Sequence, residues 1–152
     1  TPAETLLALV LACSPHIDPG TAIPLIRAES GGHPWAIGVN GGQVRPQPAT
    51  LEQAAAAARL WVSLGRTVDL CYAQINTRTA ERLGLTIEQA LEPCQNLRAM
   101  QRVLSENYTL AVSRFGPGQQ ALQAALSMYN TGHLSRGVAN GYVARVYQQA
   151  TK

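Results

Sequence analysis

The feature that most constrains this chain is one long apolar stripe. Between residues 94 and 115 apolar side chains recur at Leu97, Met100, Leu104, Tyr108, Ala111 and Phe115. Steps of three and four put them on a single face of a helix. That spacing predicts a helix over 94–115, stopped by Gly116, and the rest of the chain must cover its apolar face.

The other segments are punctuated mainly by helix signals. Residues 3–12 read as a short apolar helix ended by Pro15. Asp18 followed by Pro19 reads as an N-cap with proline at the first helical position. The helix it opens is expected to reach about Ser30, with a kink or a later true start at Pro24. Thr50-Leu-Glu-Gln53 and Thr86-Ile-Glu-Gln89 are capping-box patterns. The first opens an Ala-rich helix over 51–64 that stops at Gly65, and the second opens a short helix. Further helices are expected over 118–129 and 140–150.

Two stretches break the helical pattern. Residues 35–48, rich in Gly, Pro and Asn, carry Asn-Gly-Gly at 40–42, a turn signal for a small hairpin. Residues 67–75 have the β-branched and aromatic content of a short strand. No repeat, long linker or second domain is visible. The expected architecture is mainly α (α+β), one domain over 1–152, with a small β-hairpin element.

Composition narrows the function. With 46% apolar and 14% charged residues, the chain is neither disordered nor a polyelectrolyte. A net charge of +3 with no run of Lys/Arg, and the only lysine at Lys152, argues against a nucleic-acid partner. No apolar run approaches the roughly 20 residues of a membrane span. Cys13, Cys71 and Cys94 fit no C-x-x-C pattern, and His16, His33 and His133 have no i,i+4 partner, so neither a metal nor a cofactor is expected.

Nine carboxylates allow elimination. Glu52, Glu81, Glu88, Glu92 and Glu106 sit in helix or cap positions that face water. Glu4 is near the terminus and Asp18 has a cap to make. Glu29 and Asp69 remain. Glu29 ends an apolar segment just before a Ser-Gly-Gly turn containing Trp35. Apolar walls and a helix C-terminus both disfavour its charged form and keep its proton near neutral pH, as a general acid requires. A surface ion pair with Arg27 or Arg136 is the plainer alternative. Gln74, Asn76, Tyr129 and Asn130 offer amides and a phenol suited to sugar hydroxyls and N-acetyl groups. Alternatively, Asn76 caps the next helix and Asn130 makes a turn.

In combination, these motifs are more specific. Glu-Ser-Gly at a helix end, then Gln-Ile-Asn, then Tyr-Asn-Thr-Gly before a final helix resembles the lysozyme-like lytic transglycosylases. The order and spacing of "ESGGHPWAIGVNGG", "GRTVDLCYAQIN", "EPCQNLRA" and "ALSMYNTG…GVANGYVARV" are most similar to the branch that accompanies type IV secretion and conjugation systems. The resemblance implies a lysozyme-like fold with a glycan-binding cleft. It implies cleavage of the β-1,4 bond between N-acetylmuramic acid and N-acetylglucosamine in peptidoglycan, leaving a 1,6-anhydromuramoyl end.

On this resemblance Glu29 is the sole catalytic acid/base. Ser30, Gln74, Asn76, Tyr129 and Asn130 match the family's cleft positions, with Tyr129 the neighbour that positions Glu29 or the N-acetyl group. Many members have Gly-Leu-Met before the Gln where this chain has Cys71-Tyr72-Ala73. Many also carry a Ser in the turn after the Glu, for which Asn40 is the candidate substitute. Relatives often carry Cys at the places of Cys13 and Cys94 and Gly at Cys71, which implies a Cys13–Cys94 disulfide with Cys71 a buried free thiol. The implied setting is the periplasm or outside the cell, as a monomer acting on peptidoglycan strands beside a secretion apparatus, any signal peptide having been removed. Two alternatives stay open: a hydrolase using Glu29 as acid and Asp69 as base, and a non-catalytic glycan-binding module.

Overall fold

The computed structural model describes residues 2–151, so Thr1 and Lys152 lie outside the described residues. In chain order the elements are α1 (Pro2–Cys13), α2 (Pro19–Ser30), β1 (Ile37–Val39), β2 (Gly42–Gln43) and α3 (Leu51–Ser63). Then come β3 (Asp69–Leu70), β4 (Ile75–Asn76), α4 (Thr77–Arg82), α5 (Ile87–Leu91) and α6 (Pro93–Phe115). The chain closes with α7 (Gln119–Thr131), α8 (Arg136–Ala139) and α9 (Tyr142–Gln149).

The helix carrying the long stripe, α6, is the axis of the fold. Glu92 caps its start by accepting from the N–H groups of Cys94 and Gln95, and Gly116 ends it at φ 75°. Leu97, Met100, Leu104 and Ala111 are buried as the stripe requires, and Tyr108 is partly buried. Phe115 departs from the expectation: the last turn runs past the core and leaves it 38% exposed. Helices α1, α5 and α7 pack along α6, and α2 packs on both α1 and α9.

Local signals decide most boundaries. Asp18 Oδ1 accepts from Gly20 N–H at 2.7 Å, so α2 starts at Pro19 and runs through the buried Pro24 without a later start. Thr86 and Gln89 make the reciprocal capping box. Thr50 accepts from Gln53 N–H, but Gln53 reaches back to Ala49 rather than to the cap residue. The Tyr-Asn-Thr stretch at 129–131 closes α7 as its last turn, two residues beyond the expected end at 129, and Gly132 at φ 73° makes the stop. Helices α4 and α8 have six and four residues, too short for the periodicity to expose.

The β element is larger than one hairpin. The strands form a four-stranded antiparallel sheet in the order β2-β1-β3-β4. The pairing of β1 with β3 joins the two irregular stretches, and strands of two or three residues carry no readable alternation. Cys13 and Cys94 form a disulfide with a Cα–Cα distance of 5.3 Å, linking the end of α1 to the start of α6. Cys71 is free and buried.

Candidate active site

Glu29 occupies the last turn of α2, one residue before the C-terminal end of that helix. The turn closes through Gly31 at φ 65°, whose N–H donates to Arg27 O. Buried Leu25 and Ile26 hold the helix in the core, and Glu29 projects from it only partly exposed. Its carboxyl is raised from 4.5 to about 7. Desolvation by burial is the largest cause; a hydrogen bond from Tyr142 opposes it, the charge of Asp69 adds to the rise, and Arg145 opposes. A carboxyl so placed exchanges its proton near neutrality.

The hydrogen-bond partner is Tyr142, the first residue of α9, whose hydroxyl donates to Glu29 Oε2. Burial and the adjacent Glu29 push its own phenol well above the ordinary range, so it stays a donor. Tyr142 shares the buried face of α9 with Val143 and Val146. A phenol on a buried helix face requires a partner for its hydroxyl, which is the signal in the sequence for Tyr142, a residue not among the sequence candidates.

Tyr129 sits elsewhere in the wall. Its hydroxyl donates to Ala73 O at 2.7 Å, so it braces the 71–74 turn and is not the donor to Glu29. Burial first, then the charges of Glu29 and Asp69, hold its phenol well above the usual range. Gln74, at φ 51°, folds its amide back to donate to Ala36 O and Cys71 O, both at 3.0 Å. Its Oε1 lies over β1, where a Cβ on Gly38 would come within 2.8 Å of it. Gly38 is therefore a space requirement of Gln74. The buried amide of Asn96 holds this turn from behind, accepting from Ala73 N–H at 2.9 Å and donating to Leu70 O and Ala90 O.

Asp69, Gln74, Asn76, Tyr129 and Asn130 line one hollow of about 270 Å³. Burial raises the Asp69 carboxyl, against the hydrogen bond from Asn76. Asn76 has its amide engaged inside the protein: Nδ2 donates to Asp69 Oδ1 and Thr67 Oγ1, and Oδ1 caps α4 through Arg78 N–H. Asn130 stands exposed at the rim, accepting from Asn140 Nδ2.

Three candidates are not among the residues lining this hollow: Glu29, whose charge acts on Tyr129 in its wall, Ser30 and Asn40. Ser30 is buried, donating to Ile26 O and accepting from Gly32 N–H, so it finishes the helix and faces no cleft. Asn40 lies exposed at the β1–β2 turn, at φ 54°, against a different hollow. A larger space of about 410 Å³ between His16, Asp18, Tyr108 and Gln119 lies at the opposite end of α7 from Tyr129. No group of His, Cys, Asp or Glu suited to a metal occurs among the described residues.

A helical domain walled by a small sheet, with one desolvated acid at the end of a helix, is lysozyme-like in fold. The chain belongs to the Transglycosylase SLT domain family, whose profile matches residues 7–150. It is similar to the type IV secretion system protein virB1 of Brucella suis biovar 1, at 36% identity over 133 residues, 86% of this chain and 56% of that protein. Protein virB1 of Rhizobium radiobacter is 35% identical over 136 residues, 88% of this chain and 56% of the relative. Protein virB1 of Agrobacterium fabrum is 31% identical over 134 residues, 88% and 54% of the two chains. The chain thus spans about half the length of the curated relatives it matches. No solved structure gives a significant match.

Proposed function

We propose that this domain is a peptidoglycan lytic transglycosylase in which Glu29 works as the only acid/base. The observation that carries the reading is the Glu29 carboxyl, raised to about 7 by desolvation and held by Tyr142. Protonated Glu29 donates to the glycosidic oxygen as the bond to C1 breaks, and the leaving sugar departs as an alcohol. The carboxylate then takes the proton from the muramoyl C6 hydroxyl as that oxygen closes on C1. The product is a 1,6-anhydromuramoyl end, and water is not consumed. An internal nucleophile needs no second carboxylate, and the N-acetyl group assists at C1. Gln74, Tyr129 and Asn130 contact the glycan, and Tyr142 keeps the Glu29 carboxyl in one orientation.

The similarity to virB1 proteins supports a role in opening the wall for a type IV secretion apparatus. The Cys13–Cys94 disulfide fits an oxidising compartment, the periplasm or outside the cell. Among the described residues no helix is long and apolar enough to cross a membrane. Glu29→Gln tests the assignment: release of soluble muropeptides from purified sacculi is expected to fall by at least about 10²-fold, as loss of general acid–base catalysis requires. Retained turnover by a folded Glu29→Gln protein contradicts it.

A further inference from the structure

Two hollows flank the sheet. The Asp69–Gln74–Tyr129 hollow lies against β3 and β4. A second, of about 370 Å³, lies against β1 and β2 and is lined by Val44, Arg45, Trp61 and Arg66 among others. Its lining has two guanidinium groups and an indole but no carboxylate. The ion pairs found elsewhere engage Arg59, Arg82 and Arg102; among the described residues Arg45 and Arg66 have no such partner.

Arg66 is anchored through its own backbone and Arg45 through its neighbours. The Gln47 side chain accepts from Ile37 N–H at 3.1 Å and donates to Ile37 O at 3.0 Å and to Val44 O. Val44 N–H donates to Ile37 O at 3.0 Å, which fixes the segment carrying Arg45 against β1. Arg66 N–H donates to Trp61 O at 3.0 Å around Gly65, at φ 82°, so Arg66 and Trp61 come from one closed helix end. The hollow thus presents two charges and a flat apolar face from tied-down segments.

We propose that the Arg45–Trp61–Arg66 hollow is a subsite for the acidic stem peptide of a muramoyl residue bound at Glu29 and the Asp69–Gln74–Tyr129 hollow. This rests on the transglycosylase reading. Guanidinium groups bind carboxylates bidentately, and an indole face covers the aliphatic part of a peptide. The two hollows lie toward opposite edges of one sheet. From β4 to β2 is three strand spacings, roughly 14 Å. An extended peptide of four or five residues covers roughly 13–18 Å.

The test compares stem-bearing glycan strands with strands of the same length stripped of peptide by an amidase. Arg45→Ala/Arg66→Ala is expected to lower kcat/KM about tenfold on stem-bearing strands, through KM, and to leave stripped strands unaffected. The Lys double variant, which keeps charge without the bidentate fork, is expected to recover part of the loss. In parallel, the tripeptide L-Ala-γ-D-Glu-meso-diaminopimelate is titrated while the Trp61 indole N–H is followed by NMR. A saturable shift that disappears in the Ala double variant, at an unchanged melting temperature, supports the subsite. Equal loss on both substrates, no loss on either, or an unperturbed indole overturns it. If the wild type releases no anhydro-sugars from either substrate, the transglycosylase reading fails, and the tripeptide titration still decides whether the hollow binds acidic peptides.

Discussion

Replacing Glu29 with Gln should make the protein more stable above about pH 4.5, by a margin that grows until about pH 7. The folded-state pKa of Glu29 is raised from 4.5 to about 7. The native state therefore holds this proton more tightly than the unfolded chain does. Stability linked to it is complete below about pH 4.5 and is lost as pH rises to about 7. At roughly 1.4 kcal/mol per pH unit, ionising Glu29 in its site costs up to about 3 kcal/mol at pH 8. Glu29 keeps some contact with solvent, which makes this an upper figure. Gln does not titrate, and its carbonyl oxygen can still accept from Tyr142. For a domain of this size, about 3 kcal/mol corresponds to roughly 6–12 °C in melting temperature. Melting followed by circular dichroism between pH 4 and 8, with the disulfide intact, should show the two proteins close together at pH 4 and the variant higher at pH 8. A difference that is flat across this range, or a variant that melts lower at pH 8, refutes the idea that desolvation governs Glu29.

The neighbours of Glu29 should move its pH profile in opposite directions. Asp69→Asn removes a charge that raises the Glu29 pKa, so the alkaline limb of kcat/KM should shift to lower pH; Tyr142→Phe removes a bond that favours the ionised form, so the limb should shift higher. An Asp69→Asn protein that is folded yet inactive at every pH would favour the two-carboxylate hydrolase. Removing the Cys13–Cys94 bridge, which spans 81 residues, should lower unfolding free energy by about 4 kcal/mol in the chain-entropy account, measured by urea titration of the Cys13→Ser/Cys94→Ser protein. Asn96→Leu leaves Ala73 N–H, Leu70 O and Ala90 O buried without their partner and should cost about 3 kcal/mol or more in the same titration.

The sequence was most legible where one local signal settles one local question. Asp18-Pro19, Thr86/Gln89 and Gly116 set helix ends through hydrogen bonds or φ values within a few residues, and the stripe of α6 needs only periodicity. The sheet was less legible because β1 meets β3 some thirty residues away, and two-residue strands have no alternation to read. Elimination isolated Glu29 and Asp69, the carboxylates whose proton affinity burial raises. What it could not supply was direction. Ser30 adjoins Glu29 in sequence, yet the helix turns it into the core, and Asn76 has the chemistry of a sugar ligand but caps a helix. Tyr142 reaches Glu29 across 113 residues because α2 and α9 pack together, a contact no local pattern encodes.

The most direct test of the single-acid account is digestion of purified sacculi in ¹⁸O-water, with mass analysis of the released ends. A reaction in which the C6 hydroxyl closes on C1 takes no oxygen from solvent, so the products should be 1,6-anhydromuramoyl ends without label. Predominantly reducing ends carrying one ¹⁸O would contradict it, even if Glu29 proved essential, and would assign the attacking oxygen to water activated by a second group, with Asp69, the carboxylate whose charge acts on Glu29, the candidate.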